Sequence, residues 1–316
     1  MRVLVTGGAG FIGSNFARKA CVGAYPGITQ VTVLDKLTYA GNIENLNEIS
    51  QFANFKFVEG DICNQALIST VIQECDAVIN FAAESHVDRS ISDPSIFLTT
   101  NVGGVLNILD SIRQSSKNIR FLQVSTDEVY GSIESGAWNE ESPLLPNSPY
   151  SASKASADLL VRAYVQTYRI DALITRCSNN YGPYQYPEKL IPFFILNLLQ
   201  GKKVPIYGKG TNIRDWLHVD DHCYGIYLAL MNGKQGEVYN IGGGTELSNL
   251  ALTKILLDLT GKDNSNIEYV SDRPGHDFRY KIDFTKIGNE LGYEPKMDFS
   301  KSIKSTFEWY VSNYIS

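Results

Sequence analysis

Tyr150 and Lys154 stand four residues apart in the segment YSASK, at the start of a stretch rich in Ala and Ser. If this stretch is helical, both side chains project from one face and can act together. A tyrosine serves as a base near neutral pH only if its pKa of about 10 falls by about three units, or about 4 kcal/mol. A lysine cation about 4 Å away supplies that amount at an effective dielectric constant near 20. By itself such a pair more often decorates an amphipathic helix, so the neighbouring motifs must decide.

Hydroxyl and carboxyl groups follow one another in the segment STDEVY, which begins at Ser125. Thr126 lies at the end of an apolar run, and ligands of open α/β sheets bind at the carboxyl ends of strands. Asp127 and Glu128 come directly after it. Two adjacent acids are usually a solvated turn, but beside a redox tyrosine they suit proton abstraction by one and donation by the other. We expect this chemistry to be the elimination of water.

A glycine-rich loop follows the first apolar run and precedes a helical pattern. Gly8, Gly10 and Gly13 match GxGxxG, and Gly7, Gly10 and Gly13 match the wider spacing GxxGxxG. Residues without a Cβ let backbone N–H groups approach a pyrophosphate, which the positive end of the following helix stabilises. The alternative is a tight turn without a ligand, but the position after a strand favours dinucleotide binding.

Asp35 ends the second apolar run, about 20 residues beyond the glycines. A carboxylate at this place accepts hydrogen bonds from the adenosine ribose and repels a 2′-phosphate, which favours NAD over NADP. Lys36 beside it opposes that preference unless its side chain points to solvent. Asp61, at the end of the third run, is a candidate contact for the adenine, with a solvated surface carboxylate as the alternative.

These groups are positioned by short apolar runs that alternate with segments long enough for helices. The runs are residues 3–6, 31–35, 55–59, 77–83, 121–125 and 172–176. Their hydrophobicity is continuous rather than alternating, which indicates strands covered on both faces. The pattern predicts a Rossmann-type doubly wound parallel α/β sheet with a smaller C-terminal α/β substrate-binding region.

The alternation of strand and helix patterns ends after Cys177, where a loop rich in Gly, Pro and Tyr follows, SNNYGPYQYPEK. A helical pattern over residues 190–200 and a strand-like segment at 204–207 follow. We therefore expect residues 1–176 to form the NAD-binding domain and residues 177–316 a second, substrate-binding region. The segment VYNIGG at 238–243 again resembles a sheet strand and is expected to return to the first domain.

The amino-acid composition limits the classes of partner that the chain is expected to bind. The 316 residues carry 28 basic and 34 acidic side chains, a net charge of −6 and a pI near 5.3, which disfavour nucleic acid or an anionic membrane as the main partner. The chain opens directly on a strand and shows no signal-peptide pattern or apolar run long enough to cross a bilayer. Five cysteines without a CxxC pair suggest neither disulfides nor a thiolate metal site. We expect a cytoplasmic protein that needs no metal.

Several longer motifs carry a specific resemblance. They are TGGAGFIGSN, DKLTYAGN, FAAESHVDRS, STDEVYG, YSASK, RCSNNYGPYQYPEKLIP, NIRDWLHVDDH and DRPGHD. Together they resemble the dTDP-glucose 4,6-dehydratases, a family of extended short-chain dehydrogenases/reductases, over nearly the whole chain. The YxxxK pair is shared by the superfamily, whereas the acidic pair Asp127-Glu128 resembles the dehydratases and is not expected in sugar epimerases.

The resemblance implies a role for each catalytic candidate. Tyr150 would remove the proton of the sugar 4-hydroxyl while NAD takes the C4 hydride, with Lys154 tuning the phenol and Thr126 positioning the hydroxyl. Glu128 would then abstract the C5 proton, made acidic by the 4-ketone, while protonated Asp127 donates to the departing C6 hydroxyl. Return of the hydride to C6 and of a proton to C5 would give a 4-keto-6-deoxy sugar and restore the NAD.

The same resemblance implies two sets of binding residues for NAD and for a nucleotide-diphosphate hexose, and a homodimer made through helices near 95–115 and 148–168. The implied cofactor-binding residues are Gly7, Gly10, Phe11, Ile12, Gly13, Asp35, Lys36, Leu37, Thr38, Asp61, Ile62, Phe81, Ala82, Ala83, Thr100, Tyr150, Lys154 and Asn180. The implied substrate-binding residues are Ser85, His86, Thr126, Asn179, Lys189, Leu190, Pro205, Tyr207, Arg214, Asn249, Arg273 and His276. Among these, Lys189, Arg214 and Arg273 would neutralise the diphosphate.

Three alternatives stay open at this point. The substrate base is undetermined between dTDP and UDP. A nucleotide-sugar 4-epimerase or decarboxylase would share the oxidation at C4, although Asp127 argues against both. A non-catalytic NAD-binding regulator would keep the fold without turnover, and the intact catalytic set argues against it.

Overall fold

The computed structural model describes residues 1–314. Its strands are β1 (Arg2–Thr6), β2 (Gln30–Asp35), β3 (Phe55–Glu59), β4 (Ala77–Asn80), β5 (Arg120–Thr126), β6 (Ala172–Cys177), β7 (Asn179–Tyr181), β8 (Val204–Tyr207), β9 (Ile213–His218), β10 (Val238–Ile241), β11 (Thr245–Ser248) and β12 (Ile267–Val270). Its α-helices are α1 (Phe11–Cys21), α2 (Gln65–Ile72), α3 (Val87–Ser92), α4 (Ser95–Leu98), α5 (Val105–Gln114), α6 (Pro149–Tyr168), α7 (Leu190–Leu199), α8 (Val219–Asn232), α9 (Asn249–Thr260), α10 (Thr285–Leu291) and α11 (Phe299–Tyr314).

Seven parallel strands form the central sheet in the order β10-β6-β5-β4-β1-β2-β3. Helices cover both faces, so consecutive residues of one strand enter different cores. Val3 and Val5 pack in one hydrophobic cluster, while Leu4 packs in the other. This arrangement explains the continuous apolar runs and confirms the predicted doubly wound Rossmann-type fold.

The chain beyond β6 builds a smaller α/β region. β11, β9 and β7 form a three-stranded sheet, and β12 pairs with β8. Apolar side chains of α7, α9 and α11 pack against these strands in a separate cluster that includes Tyr181, Trp216 and Tyr310. β10 leaves this region and pairs in parallel with β6, Val238 opposite Ile174, so the segment expected to return does extend the central sheet.

One helical stretch, Ser95–Gln114, contains a wide π-helical turn at Thr99–Gly104. By length and composition it could cross a membrane, with a mean hydropathy of 1.2. It lies instead against α2 and α6, and 44% of its apolar window is buried inside the protein. Its apolar character is therefore accounted for in part by packing on the sheet.

The longest helix, α6, begins at a well-formed N-cap. The Ser148 hydroxyl accepts from the Ser151 backbone N–H at 3.1 Å, and the Ser151 hydroxyl accepts from the Ser148 N–H at 3.1 Å. Pro149 occupies the first turn, where its fixed φ suits a helix and its missing N–H costs nothing. Tyr150 and Lys154 follow immediately, so this cap sets where the helical face bearing them begins.

We predict that Ser148→Ala lowers the free energy of unfolding by about 1 kcal/mol, because it removes the acceptor for an unpaired N–H at the helix start. Urea denaturation measures the change. Ser156→Ala is the matched control, since the exposed Ser156 hydroxyl bonds only to the Ala152 carbonyl within the same helix. An equal effect in the two variants would contradict the role of the cap.

Candidate active site

The carboxyl ends of β1, β4, β5 and β6 open onto a cavity of about 350 Å³. Polar and apolar side chains from both regions of the chain line it. The predicted site residues in its wall are Gly7, Gly10, Phe11, Ile12, Gly13, Asp35, Lys36, Thr38, Asp61, Ile62, Phe81, Ala82, Ala83, Ser85, Thr100, Thr126, Asp127, Glu128, Tyr150, Lys154, Asn179, Asn180 and Lys189. The structure thus brings both catalytic pairs and most of the expected cofactor contacts into one wall.

The glycine loop is built so tightly that side chains are excluded from it. Gly7 has φ +66°, and a Cβ there would lie 2.6 Å from the backbone N of Ala82. A Cβ on Gly13 would lie 2.5 Å from the carbonyl oxygen of Gly7. Gly10 caps α1 without any side-chain hydrogen bond, and no acidic residue stands in the first turn. The helix start is therefore open to an anionic group, as a pyrophosphate cradle requires.

Asp35 braces this loop from the end of β2. One carboxylate oxygen accepts from the Ala9 N–H at 2.9 Å and the other from the Leu37 N–H at 2.8 Å. Burial raises the pKa of Asp35, although these backbone hydrogen bonds act in the opposite direction. The carboxylate lines the cavity where a ribose would lie.

Lys36, whose charge opposes the expected preference for NAD over NADP, forms an ion pair with Asp61, another candidate cofactor contact. Its Nζ lies 2.7 Å from the Asp61 carboxylate, and both residues line the cavity. Burial acts to raise the pKa of Asp61, but the hydrogen bonds from Lys36 and Cys63 together with the Lys36 charge outweigh it, and the pKa is lowered. The lysine charge is therefore compensated and exerts little attraction on a 2′-phosphate.

Tyr150 and Lys154 are both buried, 9% and 4% exposed, on the cavity side of α6. Lys154 Nζ donates to the Val124 carbonyl oxygen at 2.6 Å. Burial raises the pKa of Tyr150 well above 10, and the nearby Glu128 adds to the rise. In the chain by itself Lys154 turns its ammonium to a carbonyl and desolvation of the phenol dominates, so the lowering of the Tyr150 pKa by Lys154 stays a prediction.

The acidic pair occupies a short 3₁₀ helix, Asp127–Tyr130, that continues from β5. The Thr126 hydroxyl caps it, accepting from the Glu128 N–H at 3.3 Å and donating to the Asp127 carboxylate at 3.2 Å. Asp127 is 2% exposed, and its second oxygen has no partner among the described residues. A buried carboxyl oxygen without a partner is expensive to ionise, so the structure favours the protonated acid.

The two carboxyls differ in their electrostatic surroundings. Burial raises the pKa of Asp127 well above its ordinary value, and Glu128 and Asp215 add to the rise. Burial also raises the pKa of Glu128, but the three cations Arg273, Arg214 and Lys189 counteract it. Neighbouring groups therefore favour a neutral Asp127 beside an ionised Glu128.

Several predicted substrate contacts lie outside the cavity wall, in or next to the smaller region. They are His86, Leu190, Pro205, Tyr207, Arg214, Asn249, Arg273 and His276, and the cofactor candidate Leu37 is also outside. Many of them pair with one another or with neighbours. Arg273 lies 3.5 Å from Asp88, His276 Nδ1 lies 2.6 Å from Asp272, and the His276 ring meets Tyr207 edge-on.

Arg214 reaches the site electrostatically without lining the cavity. Its guanidinium is buried, stacks over the Tyr280 ring and donates to the Asp277 carbonyl oxygen at 3.0 Å. Lys189 does line the cavity, and its Nζ donates to the Ser85 carbonyl oxygen at 2.9 Å. These positive side chains surround the position of Glu128, as the pKa effects above indicate.

The cavity also contains residues that sequence reasoning did not select, notably Tyr39, Glu84, Gln185, Tyr186 and Glu188. They belong to the quoted motifs DKLTYAGN, FAAESHVDRS and YQYPEK. The motifs themselves were the signal that could have found them, but nothing in the residue types shows which member faces the cavity. Across residues 1–314, no cluster of three or more His, Cys, Asp or Glu is arranged to hold a metal ion.

Two features together define an extended short-chain dehydrogenase/reductase. One is the glycine-rich loop at the first β–α turn, and the other is the Tyr and Lys pair on a helix beside the carboxyl edge of the sheet. The family sequence model for GDP-mannose 4,6 dehydratase matches residues 4–306. The dTDP-glucose 4,6-dehydratase of Streptomyces niveus is 54% identical over 315 residues, which cover 99% of this chain and 94% of the relative. The chain belongs to the dTDP-glucose 4,6-dehydratase family, as the motifs predicted.

Solved structures support the same family. The crystal structure of DesIV, the dTDP-glucose 4,6-dehydratase of Streptomyces venezuelae with NAD bound, has a TM-score of 0.97 and 54% identity, covering 99% of this chain and 98% of that one. The UDP-glucuronic acid 4-epimerase of Bacillus cereus, in complex with UDP-glucuronic acid and NAD, shares the fold at a TM-score of 0.93 but only 29% identity, covering 99% and 100%. The dehydratase interpretation therefore prevails over the epimerase alternative.

We predict that Gly7→Ala weakens dinucleotide binding at least tenfold, because the added Cβ meets the backbone at Ala82 and the loop must shift. Equilibrium titration with NAD, followed by quenching of protein fluorescence, measures the affinity. Gly201→Ala is the control, since Gly201 has a similar φ of +70° but nothing within 4 Å of its added Cβ. Unchanged affinity in Gly7→Ala would show that the loop does not approach the ligand.

Proposed function

We propose that this chain dehydrates dTDP-glucose to dTDP-4-keto-6-deoxy-glucose with a catalytic NAD, using Thr126, Asp127, Glu128, Tyr150 and Lys154. The carrying observation is the buried acidic pair, with one carboxyl held neutral and its neighbour facing three cations, in the same wall as the tyrosine and lysine. A 4-epimerase or a regulator has no use for this acid and base. When bound, NAD would accept the hydride from the sugar C4 and later return it to C6.

In the oxidation half, Tyr150 takes the proton of the 4-hydroxyl. Thr126 supports this role, since its contact with the phenol acts to lower the pKa of Tyr150. The chain's own charges leave the pKa of Tyr150 high, so the positive charge of the oxidised nicotinamide must contribute to lowering it. Lys154, anchored on the Val124 carbonyl, lies on the same face of α6, where burial lowers its pKa and the charge of Asp158 opposes that shift.

In the elimination half, Glu128 removes the C5 proton and Asp127 gives its proton to the C6 hydroxyl, which leaves as water. The 4-ketone makes the C5 proton acidic. Asp127 is only 2% exposed, so bulk water has little access to it and the proton that it holds is kept for the leaving group. The partnerless Asp127 oxygen is free to meet that group.

The binding assignments follow from the two halves of the cleft. The glycine loop, Asp35 and Lys36-Asp61 would hold the NAD pyrophosphate and adenosine, while Thr100 and Asn180 border the rest of the cofactor. Lys189, Arg214 and Arg273 would offset the charge of the substrate diphosphate, with the remaining predicted contacts of the smaller region completing the nucleotide pocket. This division corresponds to domains 1–176, with the returning strand near 238–243, and 177–316.

A homodimer and a cytoplasmic location complete the proposal. Three exposed leucines support the dimer: Leu98, Leu106 and Leu159 are 54%, 38% and 54% exposed on α4, α5 and α6, which pack side by side. A second copy that presents the same helices would cover them in a two-fold contact. None of the five cysteines forms a disulfide, which suits a reducing compartment.

The proton roles are tested with Asp127→Asn, Glu128→Gln and Tyr150→Phe on dTDP-glucose deuterated at C4. We expect the two carboxyl variants to form reduced nicotinamide but to release the dehydrated product at least a hundredfold more slowly. Tyr150→Phe should fail before any reduced nicotinamide appears. Absorbance of the reduced cofactor and mass spectrometry of the product separate the steps.

In the unmodified enzyme the label should reach C6 without added NAD, and the product should weigh one water less than the substrate. Glu74→Gln is the control, because Glu74 makes an exposed pair with Lys56 far from the cleft. Full turnover in the carboxyl variants would contradict their roles, and a product of unchanged mass would contradict the dehydration.

The dimer is tested by charging the leucine surface. Leu106→Glu with Leu159→Glu should halve the mass measured by light scattering after size exclusion, because two carboxylates would be buried without partners. Val22→Glu is the control, since Val22 is 62% exposed at the end of α1. A mass unaffected by the double substitution would overturn the proposed contact.

A further inference from the structure

A buried hydrogen-bond network connects the two segments that carry the catalytic pairs. Arg176, on β6, donates through Nε to the Asp158 carboxylate at 2.8 Å and through Nη1 to the Tyr130 hydroxyl at 2.8 Å. The Tyr130 hydroxyl donates in turn to Asn240 Oδ1 at 2.9 Å. All four residues are nearly inaccessible to solvent, none being more than 4% exposed.

Each end of this network lies close in the chain to a catalytic pair. Asp158 stands one turn beyond Lys154 on α6, so it shares the helix of the tyrosine and lysine pair. Tyr130 ends the 3₁₀ helix that begins with the acidic pair. The Tyr130 ring also packs in a small cluster with Ala155, the residue after Lys154. One arginine therefore spans the gap between the two segments.

The far end of the network is fixed to the sheet. The Asn240 side-chain amide, on β10, donates to the carbonyl oxygens of Trp138 and Asp283 at 3.3 and 3.0 Å. Its Oδ1 is thereby oriented toward Tyr130. The hydroxyl of Tyr130 consequently has a defined donor on one side and a defined acceptor on the other, which holds the phenol in one position.

The free-energy cost of burying the Arg176–Asp158 ion pair indicates that the pair positions other groups rather than stabilising the fold. Removing Arg176 and Asp158 from water is costly, and their attraction offsets this cost only with good geometry. One Asp158 oxygen remains without a partner among the described residues, so this pair is not fully compensated. An apolar pair would serve stability as well, whereas only a forked guanidinium can bond the helix and the turn at once.

We propose that Tyr130 and Arg176 are positioning residues that hold the Asp127-Glu128 turn in register with the Tyr150-Lys154 helix, so that elimination acts on the sugar that has just been oxidised. The inference rests on the proton roles proposed above for Asp127 and Glu128.

Oxidation at C4 and elimination of water should differ in their sensitivity to loss of the hydrogen bond between Arg176 and Tyr130. Lys154 has its own anchor on the Val124 carbonyl, and Tyr150 is fixed by the capped helix, so oxidation does not depend on Tyr130. Asp127 and Glu128 lie on the segment that ends at Tyr130. Displacement of a catalytic group by about 1 Å can cost 10²-fold in rate, so loss of the link should slow elimination alone.

Tyr130→Phe tests the inference, since it keeps the ring in its cluster and removes only the bridging hydroxyl. We expect KM and NAD affinity to stay unchanged and kcat to fall at least tenfold, with reduced nicotinamide accumulating during turnover. Tyr164→Phe is the matched control. Tyr164 is a buried tyrosine on α6 whose hydroxyl donates to Asp110 at 2.9 Å, outside the cleft. It should lose similar stability without accumulating reduced cofactor.

A double-mutant cycle with Arg176→Lys adds a second measurement, because a lysine keeps the charge beside Asp158 but cannot bond both partners. The double variant should be no slower than the slower single variant if the two residues act through one link. Accumulation of reduced cofactor to the same extent in Tyr130→Phe and Tyr164→Phe, or in neither, would overturn the inference.

Parallel assays of Asp127→Asn and Glu128→Gln distinguish the proton roles of these residues from the positioning role of Tyr130 and Arg176. If those variants slow elimination and Tyr130→Phe does not, the positioning role is wrong while the proton roles stand. If the carboxyl variants eliminate water at full rate, the proton roles are wrong and the positioning role falls with them.

Discussion

Two adjacent carboxyl groups from which water is excluded cannot both be ionised without a large cost, and the chemistry of this cleft depends on that constraint. Asp127 lies deeper and has an oxygen with no partner, whereas Glu128 faces Lys189, Arg214 and Arg273. These surroundings favour a neutral Asp127 beside an ionised Glu128, which fits the proposed roles of proton donor and proton acceptor. The cations that compensate Glu128 are also those expected to compensate the substrate diphosphate, so substrate binding and the charge state of the base are coupled.

The parallel sheet brings the reacting groups to this place. Because β5 and β6 run side by side and end together, with Thr126 opposite Cys177, the acidic turn begins where the second region of the chain departs. The glycine loop leaves β1 at the same edge of the sheet. The groups proposed to oxidise the sugar and those proposed to dehydrate it line one cavity with the glycine loop, so the intermediate would not have to move between sites.

Much of this arrangement could be predicted from the sequence. The six apolar runs were close to the observed strands, since a strand buried on both faces has a distinctive composition, and the segment at 204–207 matches β8. Strands β7, β9, β11 and β12 were missed, because the pairing partner of each is distant in the chain and because β7, β11 and β12 are also short. Local periodicity contains no signal for such pairings.

The site shows the same division between local and long-range information. The Tyr150 and Lys154 spacing on a helix and the glycine loop were readable because their geometry is set within a few residues. The direction of the Lys154 ammonium was not, since the carbonyl that receives it lies 30 residues earlier on β5. Nor could the pairing of Lys36 with Asp61, or the bridge from Arg176 to Tyr130, be found in any motif. Sequence motifs thus identify the candidate reacting groups, whereas long-range contacts decide their charge states and mutual alignment. In the proposed reaction, which has two consecutive proton transfers, that alignment determines whether the second step follows the first.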